Sequence, residues 1–196
     1  MYFESGNYYH IYNRGINRKK IFFNKRNYQF FLDKLVKYIS PHCSIVAWCL
    51  MPNHFHLLIH ADERSEVIVD DLSPIKKNTI SEGLRISLSS YSKAINIQER
   101  RVGNLFQQRT KSKLLETRSV KMHSLNYIET CFHYIHYNPV KAGLVEFENE
   151  WGFSSFNEYF GKSVMKICDC ELGNFCVDLK SYEKFYVPHL KEFSSY

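Results

Sequence analysis

The sequence predicts an α+β fold, an antiparallel sheet with helices packed mainly on one face. Three observations carry this. Residues 8–13 alternate, and 44–50 and 54–60 are apolar runs of strand length. Three other stretches repeat apolar residues every three or four positions, the period of a buried helix face. The two kinds of segment interleave as strand, helix, strand, strand, helix, strand, helix, and a ferredoxin-like sandwich accommodates that order.

The elements follow in turn. The first strand, aromatic-rich, ends in the turn Arg14-Gly15-Ile16-Asn17. A polar helix start at 24–27 leads into Phe30, Phe31, Leu35 and Tyr38, and Ser40-Pro41 stops the helix. Met51-Pro52-Asn53 joins the next two strands as a tight hairpin, helped by the fixed φ of Pro52. Residues 62–73 are polar and loop-like, and Ile80, Leu84, Leu88, Tyr91 and Ile95 mark a second helix, broken at 100–104. Residues 105–116 alternate with long basic side chains, as a strand or extended arm. Leu125, Ile128, Phe132 and Ile135 mark a third helix, expected to end at Asn138-Pro139, and 154–160 a short fourth.

A length of 196 residues suits one domain with an appendage, here residues 1–160 and a C-terminal extension 161–196. The net charge of +6 leans toward a polyanionic partner, and 14 tyrosines and 15 phenylalanines suit base stacking wherever they are exposed. The chain does not open like a signal peptide, and no run approaches membrane-helix length, so a cytoplasmic location is expected. Cys43, Cys49, Cys131, Cys168, Cys170 and Cys176 are scattered without a Cys-x-x-Cys pair, which argues against a zinc knuckle and for reduced thiols.

The chemistry starts at His54-Phe55-His56. On a strand the two imidazoles share one face and Phe55 takes the other. Such a pair is half of a divalent-metal site. Nine histidines in 196 residues supply about 0.4 such pairs by chance, so a third ligand has to come from elsewhere. On the third helix Tyr134 and Asn138 lie four apart, one above the other on a flank away from the apolar stripe. Alone they fit an ordinary tyrosine and a C-terminal cap. With the histidines they make a chemical set: two imidazoles and an amide oxygen leave open positions on a hard ion such as Mg²⁺ or Mn²⁺. Such an ion polarises a phosphate oxygen, and a tyrosine one helical turn away is placed to attack the phosphorus. A phosphotyrosine link conserves the bond energy for rejoining, which suits strand transfer better than hydrolysis.

His54-Phe55-His56 resembles the His-hydrophobic-His motif of HUH nucleases. Tyr134-Ile135-His136-Tyr137-Asn138-Pro139-Val140-Lys141-Ala142-Gly143-Leu144-Val145 resembles the nucleophile helix of single-tyrosine transposases, specifically the REP-associated tyrosine transposase branch. Met51-Pro52-Asn53-His54-Phe55-His56 and Trp151-Gly152-Phe153-Ser154-Ser155 resemble the same branch, and the likeness covers residues 8 to 160. It implies a metal site of His54, His56 and Asn138, with Tyr134 as nucleophile. It also implies cutting of single-stranded DNA beside hairpins through a 5′-phosphotyrosine, without ATP. Related insertion-sequence transposases carry glutamine where Asn138 stands, and the shorter amide would hold a metal closer to the helix. Tyr137 competes as nucleophile but lies on a different flank. His133 and His136 are rotated off the Tyr134–Asn138 line, and His60 is two pleats beyond His56. His10 and Cys49 could approach the site across the sheet, though nothing in the sequence shows it.

For DNA contact, Arg109, Lys111 and Lys113 share a strand face, Arg118 and Lys121 follow, and Arg14 heads a second cluster with Arg18, Lys19 and Lys20. Solvated charge is the competing reading of both. Two other functions compete with the transposase: a domesticated, non-catalytic hairpin DNA-binding protein, and a metal-dependent hydrolase of a small substrate. Either a monomer or a homodimer is compatible with the sequence.

Overall fold

The computed structural model describes residues 1–67, 69, 78–115, 122–160, 166–177 and 179. Four strands, β1 (Asn7–Arg14), β2 (Ser44–Met51), β3 (His54–Ala61) and β4 (Lys111–Leu115), form one sheet in the order β2-β3-β1-β4. Every neighbouring pair is antiparallel. The helices are α1 (Lys25–Tyr38), α2 (Thr79–Gln98), α3 (Met122–Lys141), α4 (Phe156–Tyr159) and α5 (Cys170–Cys176). The succession β1-α1-β2-β3-α2-β4 with β1 and β3 central is the ferredoxin-like arrangement that the interleaved periods predict.

Side-chain alternation divides the molecule into two layers. Ile11, Phe55, Leu57 and Ile59 face α1 and α2, where Phe31, Leu35, Leu84, Tyr91 and Ile95 complete the larger core. Tyr8, Leu58 and Leu115 face the other way, onto Ile128, Phe132 and Ile135 of α3 and Cys176 of α5. The expected gathering of helices on one face thus describes α1 and α2, while α3 and α5 close the opposite face. The reason lies in β3, where Leu57 and Leu58 are both fully buried, so each side of the sheet needs a cover.

β2 carries a register shift between Ile45 and Ala47. Ile45 and Trp48, three apart, can therefore both enter the larger core, while Val46 and Ala47 both turn toward α3. The polar start of α1 is a reciprocal cap: Asn27 N donates to Asn24 Oδ1 at 3.1 Å and Asn24 N to Asn27 Oδ1 at 3.2 Å.

Two boundaries differ from the sequence reading. The arm expected at 105–116 is a strand only over Lys111–Leu115. Before it, Phe106 bridges to Gly15, and the chain then bends at 108–109 while Asn13 Nδ2 donates to Gln107 O and Thr110 Oγ1. The Asn13 amide satisfies the Gln107 carbonyl at the bend. The third helix runs through Pro139 to Lys141 rather than stopping at Asn138. It ends in a Schellman motif, with Gly143 at φ +66°, Gly143 N bonded to Val140 O at 2.9 Å and Leu144 N to Pro139 O at 3.0 Å. That closure offsets the amide hydrogen that Pro139 lacks.

The described part of 161–196 lies against β2: Asp169 N donates to Ile45 O at 2.8 Å, and Ile167 and Val177 are buried.

Gly83 of α2 marks the closest approach to α1, since a Cβ there would overlap the carbonyl oxygen of Tyr38. Helix propensity alone would have Gly83→Ala stabilise by about 1 kcal/mol. The clash opposes this by about 1–3 kcal/mol, so the variant is expected to unfold at lower urea with an unchanged denaturant slope.

Candidate functional site

β1 and β3 pair so that Arg14 lies opposite His54 and Tyr12 opposite His56. The two imidazoles stand edge to face with centroids 5.0 Å apart, on the side of the sheet that α3 covers. His54 Nδ1 is 2.6 Å from Asn53 Oδ1, while Asn53 Nδ2 donates to Arg18 O at 3.3 Å. The amide is thereby oriented, its oxygen faces the ring, and Nδ1 of His54 is committed to Asn53. His56 Nδ1 lies 2.9 Å from His10 Nε2. His56 Nε2 is buried and meets no hydrogen-bond partner among the described residues.

α3 brings Tyr134 and Asn138 to the same imidazoles. The Tyr134 ring stands edge-on to His56 at 5.4 Å and to His10 at 6.0 Å. Asn138 Nδ2 donates to Tyr134 O one turn back at 2.7 Å, which turns Oδ1 away from the helix axis. The Asn138 side chain also hydrogen-bonds His54 and the Tyr134 side chain. The expected polar flank is therefore buried with the apolar stripe: Tyr134 is 5% exposed and Asn138 7%. The sheet and the segments after the helix enclose α3 far beyond one stripe.

Burial governs the protonation of this cluster. It lowers His54 to about 4 and His10 to about 3, and holds His56 well below the usual histidine value. For His56 the neighbouring His10 and His54 add to the effect. All three are neutral at pH 7, as metal-ligating imidazoles must be. Burial pushes Tyr134 up to about 12, against the Asn138 hydrogen bond, so it rests as a phenol. No three His, Cys, Asp or Glu side chains gather at metal-binding spacing among the described residues. The donor set on offer is mixed, His54 Nε2, His56 Nε2 and Asn138 Oδ1, and the orphaned Nε2 of His56 is the atom that a cation would satisfy.

A cavity of about 350 Å³ opens beside the histidines, lined by Tyr12, Asn53, His54, His56 and Gln107 and rimmed by Arg14, Arg18, Arg109 and Lys111. Among the described residues no acidic side chain lines it. Tyr134 and Asn138 reach the imidazoles from the helix side instead. Of the basic residues named from sequence, Arg14, Arg109 and Lys111 thus border the cavity, with Arg109 in the bend before β4 rather than on it. Lys113 donates to Tyr127 Oη at 2.6 Å and lies over that ring, tying β4 to α3. Arg118 and Lys121 fall outside the described residues.

The other named histidines serve elsewhere. His60 packs on Tyr8 at 4.6 Å, His133 lies 3.8 Å from Glu129, and His136 Nε2 is 2.7 Å from Ser155 Oγ. Tyr137 is half-buried. Ser155 Oγ also accepts from Trp48 N at 2.9 Å, and Trp151 Nε1 donates to Leu50 O at 3.1 Å. The Trp151–Ser155 motif therefore fastens α3 to β2. Of the two residues the sequence left undecided, His10 meets His56 and Cys49 lies buried opposite His56 on β2; Asn53, at the hairpin, is a support that sequence reasoning missed. Alternation alone puts His10 with Tyr8 and Tyr12, but only strand register brings it to His56.

A family model described as Transposase IS200 like matches residues 4–138, from just before β1 to Asn138. The chain belongs to the IS200-like transposase family. A Haemophilus influenzae protein named as a REP-associated tyrosine transposase is 30% identical to this IS200-like transposase over 112 residues, 57% of this chain and 58% of that relative. The chain thus aligns with rather more than half of that protein's length. A solved structure, of a REP-associated tyrosine transposase bound to a REP hairpin, superposes with a TM-score of 0.55 at 21% identity, covering 85% of this chain and 86% of that one. At that identity the likeness establishes a shared fold.

The depressed histidines set the acid limit of this IS200-like transposase. Burial lowers His133 to about 4 and His136 to about 3, as it lowers His10 and His54. The unfolded chain takes up protons below about 6.5, whereas the folded groups stay neutral. Their contribution is complete above that pH and is lost as pH falls toward 4 and 3. Thermal melts are expected to be flat from pH 8 to 7 and to drop steadily below pH 6.5; a melting temperature unchanged down to pH 4.5 would contradict the burial.

Proposed function

We propose that this IS200-like transposase cuts and rejoins single-stranded DNA beside hairpins, with Tyr134 as nucleophile and His54, His56 and Asn138 as the holders of a divalent ion, Mg²⁺ or Mn²⁺. The observation that carries the reading is the convergence of His54, His56, Asn138 and Tyr134 next to a cavity bordered by Arg14, Arg18, Arg109 and Lys111. That the homologous fold has been solved with a REP hairpin supports hairpin DNA as the ligand class.

The Tyr134 oxygen attacks the scissile phosphorus, its proton leaves to solvent, and the 3′-oxygen departs as a hydroxyl. The 5′ side remains as a phosphotyrosine ester that a second 3′-hydroxyl can attack in reverse. His54, His56 and Asn138 would hold the ion, which when bound would supply Lewis-acid polarisation of a phosphate oxygen. Arg14, Arg18, Arg109 and Lys111 hold the strand by its phosphates, and Arg118 and Lys121 continue the charge toward α3 in sequence. At 5% exposure Tyr134 is sheathed, so strand entry has to uncover its hydroxyl. All four chemical groups come from one chain, so a monomer holds a full site and a homodimer is not required.

Incubated with Mn²⁺ and single-stranded hairpin DNA from the flanks of its own gene, the protein is expected to form a denaturation-resistant adduct. Tyr134→Phe should abolish the adduct and keep hairpin binding, and EDTA should do the same. Hairpin binding indifferent to EDTA, with no adduct from the wild type across a hairpin library, would leave the non-catalytic DNA-binding reading. Binding should weaken with salt at a log–log slope of about −3 for four phosphate contacts, and Arg109→Ala should reduce that slope by about 1.

A further inference from the structure

We propose that the groove between α2 and the 103–110 segment is a reading site for unpaired bases of the DNA strand that passes the histidine cavity. That such a strand is the ligand rests on the function proposed above. The groove is a second cavity, of about 670 Å³. Asn13, Gln107 and Arg109 line both cavities, so the bend before β4 is a shared wall with Arg109 on it. A strand whose phosphate sits on Arg109 crosses from one cavity to the other. The lining suits a base better than a run of phosphates. Leu84, Leu88, Leu105 and Phe106 supply an apolar floor, and Asn104, Gln107 and Gln108 bring amides to its edge. Among the described residues these three amide side chains make no hydrogen bond, so their donors and acceptors are open to a ligand. A nucleobase has the matching pattern, an apolar face with a hydrogen-bonding edge. Of the two arginines, Arg85 is already bridged to Glu82 at 2.8 Å, which leaves Arg109 for the phosphate. A volume of this order takes groups the size of a small ligand, not a paired stem.

Both walls of the groove are fixed by the fold. On α2, Ser81, Arg85, Ser89 and Ser92 recur on one face, and the three small serines keep that wall low. Ser81 Oγ donates to Met1 O, so the first residue closes the groove near the start of α2. Opposite, Asn96 Nδ2 donates to Gly103 O at 2.9 Å, Ile16 N to Leu105 O at 3.0 Å and Gln107 N to Arg14 O at 2.8 Å. The far wall is thereby fastened to α2 and to the chain leaving β1, and Asn13 Nδ2 holds the bend at Gln107 O and Thr110 Oγ1. Walls that stand before the ligand arrives reduce the ordering cost of binding.

Equilibrium binding in EDTA tests the groove apart from the chemistry. The probes are hairpin oligonucleotides from the flanks of the gene, with unpaired arms in which each nucleotide in turn is made abasic. For the wild type, one or two adjacent unpaired positions are expected to cost about 10-fold in affinity. Ser89 is exposed, and the indole of Ser89→Trp would fill the groove. This variant is expected to lose the same factor on the intact oligonucleotide, to show no abasic effect, and to bind an armless hairpin like the wild type. Gln108→Ala, also at an exposed position, is expected to flatten the preference among the four bases at one of those positions. No sensitive unpaired position, or an abasic effect intact in Ser89→Trp, overturns the proposal. An armless hairpin weakened by Ser89→Trp overturns it too, by putting the stem in the groove. If Ser89→Trp does not fold, Asn104→Ala combined with Gln108→Ala decides: an unchanged base preference overturns the proposal. If unpaired arms bind as well without the hairpin, or no adduct forms with Mn²⁺, while the abasic pattern is as stated, the hairpin or the cutting reading fails and the groove stands. Binding of no DNA overturns both.

Discussion

The pairing of β1 with β3 is the constraint on which the site depends. These are the two inner strands, and their register sets Tyr12 opposite His56 and Arg14 opposite His54. A slip of one residue would turn His10 and Tyr12 into the larger core and bring Ile11 and Asn13 to the histidines. The register is held from both ends. Gly6 N bonds Ala61 O at 2.7 Å at the start of β1, and Gly15 N bonds Asn53 O at 2.8 Å beyond its end. The hairpin tip is pinned again where Ile21 N and Phe22 N share Pro52 O. The histidine pair thus stands on backbone fixed from two directions.

α3 is the second partner, and its rotation decides whether Tyr134 and Asn138 meet the sheet or miss it. Packing of Ile128, Phe132 and Ile135 on the sheet sets the rough orientation. The contact between His136 and Ser155, which in turn grips both N and O of Trp48, sets it more finely. A helix positioned by apolar contacts alone could rock; one with a buried polar stitch has a defined angle. The stitch lies one turn or less from both Tyr134 and Asn138, so an error there would appear at the site.

Much of this was legible in the sequence, and the parts that were not share a cause. His54 and His56 on one strand face, and Tyr134 over Asn138 on a helix, follow from local periodicity, which is a property of neighbours along the chain. The succession of elements likewise named the sandwich. His10 reaches His56 through strand register and Asn53 reaches Arg18 through loop packing, and neither is encoded by spacing. The continuation of α3 through Pro139 escaped because proline predicts an ending from local sterics, while the Gly143 cap beyond it closes the helix later. The bend at Arg109 depends on a side chain 96 positions earlier, Asn13, donating into it.

The two margins of the sheet are guarded differently. Along β2, Leu50 N bonds Phe153 O, Ser155 N bonds Trp48 O, and Asp169 N bonds Ile45 O, so later parts of the chain occupy that margin. Along β4 the strand is five residues long and carries Lys111 and Lys113. A short, positively charged margin resists recruiting the strand of another molecule, because two copies would bring like charges together. The lysine at the rim of the cavity is therefore also a barrier to end-on polymerisation of the sheet.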